Sequence, residues 1–214
     1  MKGFNYSAEI KDSKTYEKLR PLGKKIVNML YKIEYVGVEN IPENGGFILA
    51  SNHIDALDPV FIGLGMEKRQ LHFMGKKELF ENPLVKSFLT KLNGFPIVRG
   101  SADTAALEYA IRVAAEGNIL GIFPEGTRSK DYKPARAKSG VAMIANQAKA
   151  PVLPVSVYNC DEMKKKSKIT VRFGELIPYE KLGMSEEATR EETKDCAKMI
   201  MSEIVKLWEM GHCE

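Results

Sequence analysis

An α/β domain is predicted for this chain: a central, mostly parallel or mixed sheet flanked by helices, with an amphipathic helical appendage at the N-terminus. Two observations predict it. From residue 34 onward, short apolar or β-branched runs alternate with stretches of helical periodicity. Before them, Leu19, Leu22, Ile26, Met29, Leu30 and Ile33 recur at three- and four-residue spacing among Lys18, Arg20, Lys24, Lys25 and Lys32. The chain's 214 residues suit one domain with a sizeable core. The division expected is an appendage over 1–33 and a main domain over 34–214.

The appendage comes first. Its basic amphipathic helix, over 12–33, can lie in a bilayer interface or pack its apolar face on the domain. Pro21 is expected to start or kink it, because proline removes an internal N–H donor. Strands are then expected at 34–38, 46–51, 71–75, 95–98, 118–123, 152–157 and 168–173. Helices are expected at 59–67, 83–92, 103–116, 138–149 and 186–210, with Pro83 as a start signal and Gly117 as a stop. Lys164 to Lys168 read as a solvated loop, or as a patch drawn to an anionic membrane surface.

Composition narrows the function classes. The hydrophobic share is 44 %, as in globular proteins, and no apolar run approaches the roughly 18 to 20 residues that span a bilayer. The N-terminal residues lack a signal-peptide apolar region, so a cytosolic chain is expected. Cys160, Cys196 and Cys213 are odd in number and widely spaced, which fits free thiols rather than a disulfide framework or a metal site. The net charge of +4 gathers near residues 18–32, 76–91, 128–138 and 164–168, which favours anionic partners. Nucleic acid is not expected among them, since no zinc-finger spacing, RNP-like motif or basic heptad is present. Phosphorylated small molecules or anionic lipids fit better.

The most informative segment is Asn52-His53-Ile54-Asp55-Ala56-Leu57-Asp58-Pro59. A buried strand leads into it, and Asp58-Pro59 reads as a capping carboxylate followed by proline at the first helical position. On one continuous helix His53 and Asp58 would point about 140° apart, so the two can meet only if the backbone turns between them. A carboxylate holding one imidazole nitrogen makes the other an effective general base. Two further segments put arginines after apolar strands: Gly94 to Gly100 with Arg99, and Phe123-Pro124-Glu125-Gly126-Thr127-Arg128-Ser129. Strand ends on one edge line the ligand crevice of an α/β sheet, so His53, Arg99 and Arg128 are expected to converge there. Arginine suits phosphate through its bidentate fork, and the amides of Gly126 and Thr127 can add to an anion-binding concavity. Glu125 is open to three roles: bracing an arginine, binding an acceptor hydroxyl, or a surface ion pair.

In this order, His53-x4-Asp58, Gly94 to Arg99, Phe123 to Ser129 and Val152-Leu153-Pro154-Val155 resemble the four motifs of the glycerolipid acyltransferases, and within them most closely the bacterial 1-acylglycerol-3-phosphate acyltransferases. The resemblance runs from about residue 35 to residue 180 and takes in Phe73 to Phe80; the Phe123 to Ser129 motif is its most specific part. It implies that His53 is the base and Asp58 its orienting partner. It further implies that Arg99 and Arg128 hold an acceptor phosphate, that Glu125, Gly126 and Thr127 shape the pocket, and that Lys76, or Lys77 in its place, is another phosphate contact. One departure is Ala137-Lys138-Ser139-Gly140, which keeps the lysine and glycine of a family motif but lacks its aromatic residue.

The implied reaction moves a fatty acyl group from acyl-CoA or acyl-carrier protein to lysophosphatidic acid, giving phosphatidic acid with no metal or cofactor. The implied location is the cytoplasmic face of a membrane, monotopic, held through the N-terminal helix. A related acceptor lipid, or a non-catalytic lipid-binding module, are the alternatives.

Overall fold

The structure is a computed structural model that describes residues 3–98, 103–159 and 166–212. Seven strands form one sheet in the order β1-β7-β6-β2-β5-β3-β4. They are β1 (Lys32–Val36), β2 (Phe47–Ser51), β3 (Leu71–Lys76), β4 (Gly94–Ile97), β5 (Ile119–Ile122), β6 (Val152–Tyr158) and β7 (Lys168–Phe173). The five strands β6, β2, β5, β3 and β4 are parallel; β7 runs antiparallel to β6, and β1 is parallel to β7. The sheet is therefore mixed, with its parallel part supplying the edge that matters for the site.

Alternation along the strands divides the core between the two faces of the sheet. Ile48, Ala50, Leu120 and Val152 face a layer made by α4 (Thr104–Ala115), α5 (Gly140–Ala148) and α6 (Arg190–Glu209). Phe47, Leu49, Leu71, Leu153 and Val171 face the other side, with Val27 of α1 (Lys14–Leu30) and Phe61 and Ile62 of α2 (Asp58–Gly65). Both faces of β2 are buried, which is why Phe47-Ile48-Leu49-Ala50-Ser51 reads as a continuous rather than alternating run.

Element ends differ from the sequence expectations for local reasons. Pro21 neither starts nor breaks α1: it lies inside one helix, on a solvent-exposed side where a missing amide donor is cheap, and Ser13 caps the start by accepting from the Tyr16 amide. Arg20 and Lys24 reach Glu67 of the domain, at its carbonyl and its carboxylate respectively. β1 takes in Lys32 and Ile33, so the division at residue 33 falls within a strand. That strand ends at Gly37, whose φ of 71° and close approach to the Phe173 carbonyl leave no room for a side chain. α6 begins at Arg190 rather than 186, because Thr189 and Glu192 form a reciprocal capping box and Glu192 also binds Ser185.

Residues before α1 are packed on the domain as well. Phe4 and Tyr6 lie against Tyr109 and Phe95, and the Tyr6 hydroxyl donates to the Pro96 carbonyl at 2.9 Å. Among the described residues no helix is long and apolar enough to cross a membrane.

One side chain fixes the end of β2. Beyond the last ladder pair, Ser51 with Val155, the fully buried Asn52 amide donates to the Val157 carbonyl at 2.9 Å and accepts from the Val157 amide at 2.8 Å. It thus continues the ladder by one rung and sets where residue 53 emerges. Asn52→Ala leaves two buried backbone groups unpaired and is expected to cost about 2 kcal/mol of unfolding free energy in urea denaturation. A loss under about 0.5 kcal/mol would mean that the ladder ends at Ser51 and the brace is idle.

Candidate active site

His53 leaves the C-terminal end of β2, and α2 begins at Asp58 after a short turn. The cap differs from expectation: Leu57 is the N-cap, and the Asp58 carboxylate turns back over the preceding loop instead of capping its own helix. Its Oδ2 accepts from the Ile54 amide at 2.7 Å and the Asp55 amide at 2.9 Å, and lies 2.8 Å from His53 Nδ1. Asp58 is completely buried and Oδ1 has no partner among the described residues. Burial pushes this carboxyl up from the ordinary aspartate range, and the bonds from His53 and the two amides work against that push. With Oδ2 accepting the Nδ1 proton, Nε2 is left as the nitrogen with a free lone pair.

The Phe123 to Ser129 loop closes around the histidine. The Phe123 ring stacks on the imidazole with centroids 4.0 Å apart and planes 13° apart, and Phe73 of β3 stacks on Phe123 in turn at 5.5 Å. The imidazole is thus held at its Nδ1 edge by a carboxylate and on its face by an aromatic ring. Glu125 Oε1 accepts from the His53 amide at 3.1 Å, and the Ser129 amide donates to the His53 carbonyl at 2.8 Å. Glu125 is therefore not a surface ion pair: it is buried and bonded to the backbone of the histidine, and among the described residues no arginine reaches it. Burial pushes its carboxyl up to about 7, against the lowering effect of the His53 amide and with a smaller contribution from the negative charge of Asp58.

Gly126 sits at φ 73°, where a side chain would be strained, and a β-carbon there would stand 3.0 Å from Lys138 Nζ. Lys138 is the residue that sequence reasoning underused. Its amide donates to the Pro124 carbonyl at 2.8 Å, so both its backbone and its ammonium lie on the loop. The phenylalanine of the Phe123 to Ser129 motif was legible as a residue, but its stacking on His53 has no signal in spacing.

The expected site residues are not all drawn together. His53, Asp58, Glu125 and Gly126 form one bonded cluster, and Thr127 and Arg128 extend from it as exposed residues beside the pinned Ser129. Lys76 ends β3 on the same sheet edge, with its ammonium 3.3 Å from Glu78. Arg99 lies outside the described residues. Next to the cluster, a cleft of about 480 Å³ runs between the sheet and the starts of α4 and α5, with Met74, Ile97, Leu107, Phe123, Met143 and Ile144 among its walls.

This geometry has counterparts. A family model described as Acyltransferase matches residues 32–158, which take in the dyad and the Phe123 to Ser129 loop. The chain belongs to this acyltransferase family. A 1-acyl-sn-glycerol-3-phosphate acyltransferase of Bacillus subtilis is 34 % identical over 157 residues, covering 72 % of this chain and 78 % of that protein. One of Streptococcus pneumoniae is 30 % identical over 175 residues, covering 78 % of this chain but 64 % of the relative, so the likeness leaves over a third of that protein unmatched. The crystal structure of the 1-acyl-sn-glycerophosphate acyltransferase of Thermotoga maritima superposes with a TM-score of 0.72 at 27 % identity, over 93 % of this chain and 81 % of that one.

In this acyltransferase the raised Glu125 carboxyl has a stability consequence. The folded chain holds a proton that the unfolded chain releases above its ordinary value of 4.5. The stabilisation is therefore full below that value and is lost as pH rises through about 7. The stability of wild type relative to Glu125→Gln, which keeps an acceptor for the His53 amide, is expected to fall by up to roughly 3 kcal/mol across that window. Parallel pH dependences of the two proteins in urea denaturation would show that Glu125 stays ionised.

Proposed function

We propose that the chain transfers a fatty acyl group from a thioester, acyl-CoA or acyl-carrier protein, to the free hydroxyl of 1-acylglycerol-3-phosphate, giving phosphatidic acid. The observation that carries this reading is the 2.8 Å contact of His53 Nδ1 with buried Asp58, which leaves Nε2 as a base on the edge where the Gly126 to Arg128 loop stands. The named activity of the Bacillus subtilis and Streptococcus pneumoniae relatives agrees with it.

The steps follow from the chemistry. Nε2 takes the hydroxyl proton as the acceptor oxygen attacks the thioester carbonyl carbon. The tetrahedral oxyanion collapses, the C–S bond breaks, and the departing thiolate receives the proton from the imidazolium, which leaves an ester and a free thiol. Asp58 stabilises the imidazolium while it exists. The enzyme need not be acylated, since none of the three cysteines falls in a motif; Cys196, the one among the described residues, is buried on α6, where burial pushes its thiol up to about 11. Arg128 and Lys76 are read as phosphate contacts, with the Lys138 ammonium over Gly126 as a further cation, and Arg99 keeps the same assigned role from sequence. The cleft walled by Met74, Leu107, Met143 and Ile144 is read as the seat of an acyl chain, because its lining is apolar and Phe123 joins it to the imidazole.

A lipid acceptor requires access from a membrane. Leu22, Ile26 and Met29, spaced along one face of α1, are exposed, as an element lying in the bilayer interface requires. We read α1 as a peripheral attachment to the cytoplasmic leaflet.

Purified protein in detergent, offered either thioester and lysophosphatidic acid, is expected to form phosphatidic acid by mass spectrometry. His53→Ala should lower the rate by roughly 10²- to 10⁴-fold with the fold intact. Arg128→Ala should raise the KM for the phosphorylated acceptor more than that for the thioester, and lysine should rescue it poorly. Near-normal turnover by folded His53→Ala contradicts the reading.

A further inference from the structure

The segment that follows Lys76 turns its apolar side chains the wrong way for a helix in a soluble fold. A 3-10 turn, Lys77–Phe80, leads into α3 (Pro83–Lys91), and none of the α3 side chains is buried. Leu84 is 82 % exposed and Phe88 54 %, one helical turn apart on the same face, with Val85 beside them and Leu79 on the preceding turn also exposed. The helix is nonetheless firmly started. Pro83 stands in its first turn, and Asn82 Oδ1 accepts from the amides of Leu84 at 2.9 Å and Val85 at 3.3 Å.

Its place in the fold is informative. Leu71 and Phe73 face the α1 and α2 side of the sheet, so by alternation Gly75 does too, and a β-carbon at Gly75 would stand 2.8 Å from the Phe80 ring. Gly94 pairs with Phe73, and a β-carbon there would meet the Leu89 carbonyl at 3.0 Å. Helix α3 thus lies on the same sheet face as α1, whose N-cap Ser13 donates to the carbonyl of Lys91 at 2.5 Å. Both α1 and α3 therefore lie on this face of the sheet, and each carries exposed apolar side chains. The segment 76–91 carries Lys76, Lys77, Lys86 and Lys91 against Glu78 and Glu81, a positive excess along the chain that bears the apolar face.

We propose that the outward face of α3, Leu84, Val85 and Phe88 with Leu79, inserts into a leaflet containing anionic lipid. It forms a second membrane contact, distinct from α1 and set directly beyond the strand end that carries Lys76. Exposed apolar side chains on a segment of net positive charge match the interfacial region of such a leaflet, where acyl chains lie under anionic headgroups. The proposal rests on the acyl-transfer reading for the purpose of this contact: it would hold the strand edge that carries His53 and Lys76 at the surface that holds the acceptor.

Two measurements test it on the full chain. Leu84→Glu/Phe88→Glu, checked for unchanged circular dichroism, is expected to partition onto phosphatidylglycerol–phosphatidylcholine vesicles at least about fivefold less than wild type. Its turnover of a short-chain, water-soluble acceptor should stay within about twofold of wild type, because neither residue belongs to the dyad or the loop. Unchanged vesicle partitioning overturns the proposal, as does a wild-type dimer that the double variant abolishes without any loss of vesicle binding. The second measurement places Phe88→Trp in a Trp208→Phe background, so that one indole reports on α3. Its fluorescence should be quenched by vesicles with brominated acyl chains. An unquenched indole on a vesicle-bound protein overturns the insertion. Quenching needs no catalysis, so it reads even if the acyl-transfer reading fails, and absent quenching with intact transfer removes only the docking face.

Discussion

The site depends on a buried carboxylate with three N–H donors on one oxygen. Asp58 has no exposed surface, and an isolated charge there would be far too costly to keep. The amides of Ile54 and Asp55 and the imidazole of His53 meet Oδ2, and the first turn of α2 adds the favourable end of its dipole. The same bonds dictate the loop: residues 53 to 57 must fold back toward Asp58, which is how a pair that would diverge on one helix comes together. Once the loop is so folded, the His53 amide faces Glu125 and its carbonyl faces the Ser129 amide. Removing the carboxylate would therefore disturb the position of the Phe123 to Ser129 loop as well as the basicity of the histidine.

A raised Glu125 carboxyl would ease the approach of an anionic acceptor to this edge, where two acids lie buried. Asp58 and Glu125 both lie buried at the strand ends, and a phosphate brought to Arg128 would add further negative charge to the same edge. A Glu125 carboxyl raised to about 7 is largely neutral below that pH, and it keeps its bond from the His53 amide in either state. The loop then presents its cations, Arg128 exposed and Lys138 folded over Gly126, with less opposing charge. The apolar wall meets the polar edge at Phe123, which stacks on the imidazole and lines the neighbouring cleft.

Much of this was legible in the sequence because local chemistry determines it. The buried run at Phe47, the proline starts at Pro59 and Pro83 and the stop at Gly117 each act within a few residues, and the observed elements fall close to their expected bounds. The dyad was legible through its place between a buried strand and a proline-started helix, together with the two arginine-bearing motifs that follow it. The antiparallel pairing of β7 with β6 was not, since strand order depends on contacts between distant segments. Nor was the turning back of Asp58 past its own helix start, the burial of Glu125, or the stack on Phe123, each of which needs the loop from β5 to meet the loop from β2. Pro21 misled in a specific way: proline predicts a helix start or a kink, but on an exposed helix side anchored by Ser13 and by Arg20 and Lys24 at Glu67 the helix runs through it. The outward face of α3 was hidden for the opposite reason, because apolar residues at helical spacing normally signal a core.

The central claim is that Asp58 fixes His53 with its proton on Nδ1 and its lone pair on Nε2. The most direct measurement is the ¹⁵N spectrum of the histidine-labelled protein, which has three histidines, with His53 assigned by its absence in His53→Asn. For the neutral imidazole, protonation on Nδ1, with that tautomer lost in Asp58→Asn, is the predicted result. A His53 protonated on Nε2, or a tautomer indifferent to Asp58→Asn, would contradict the account.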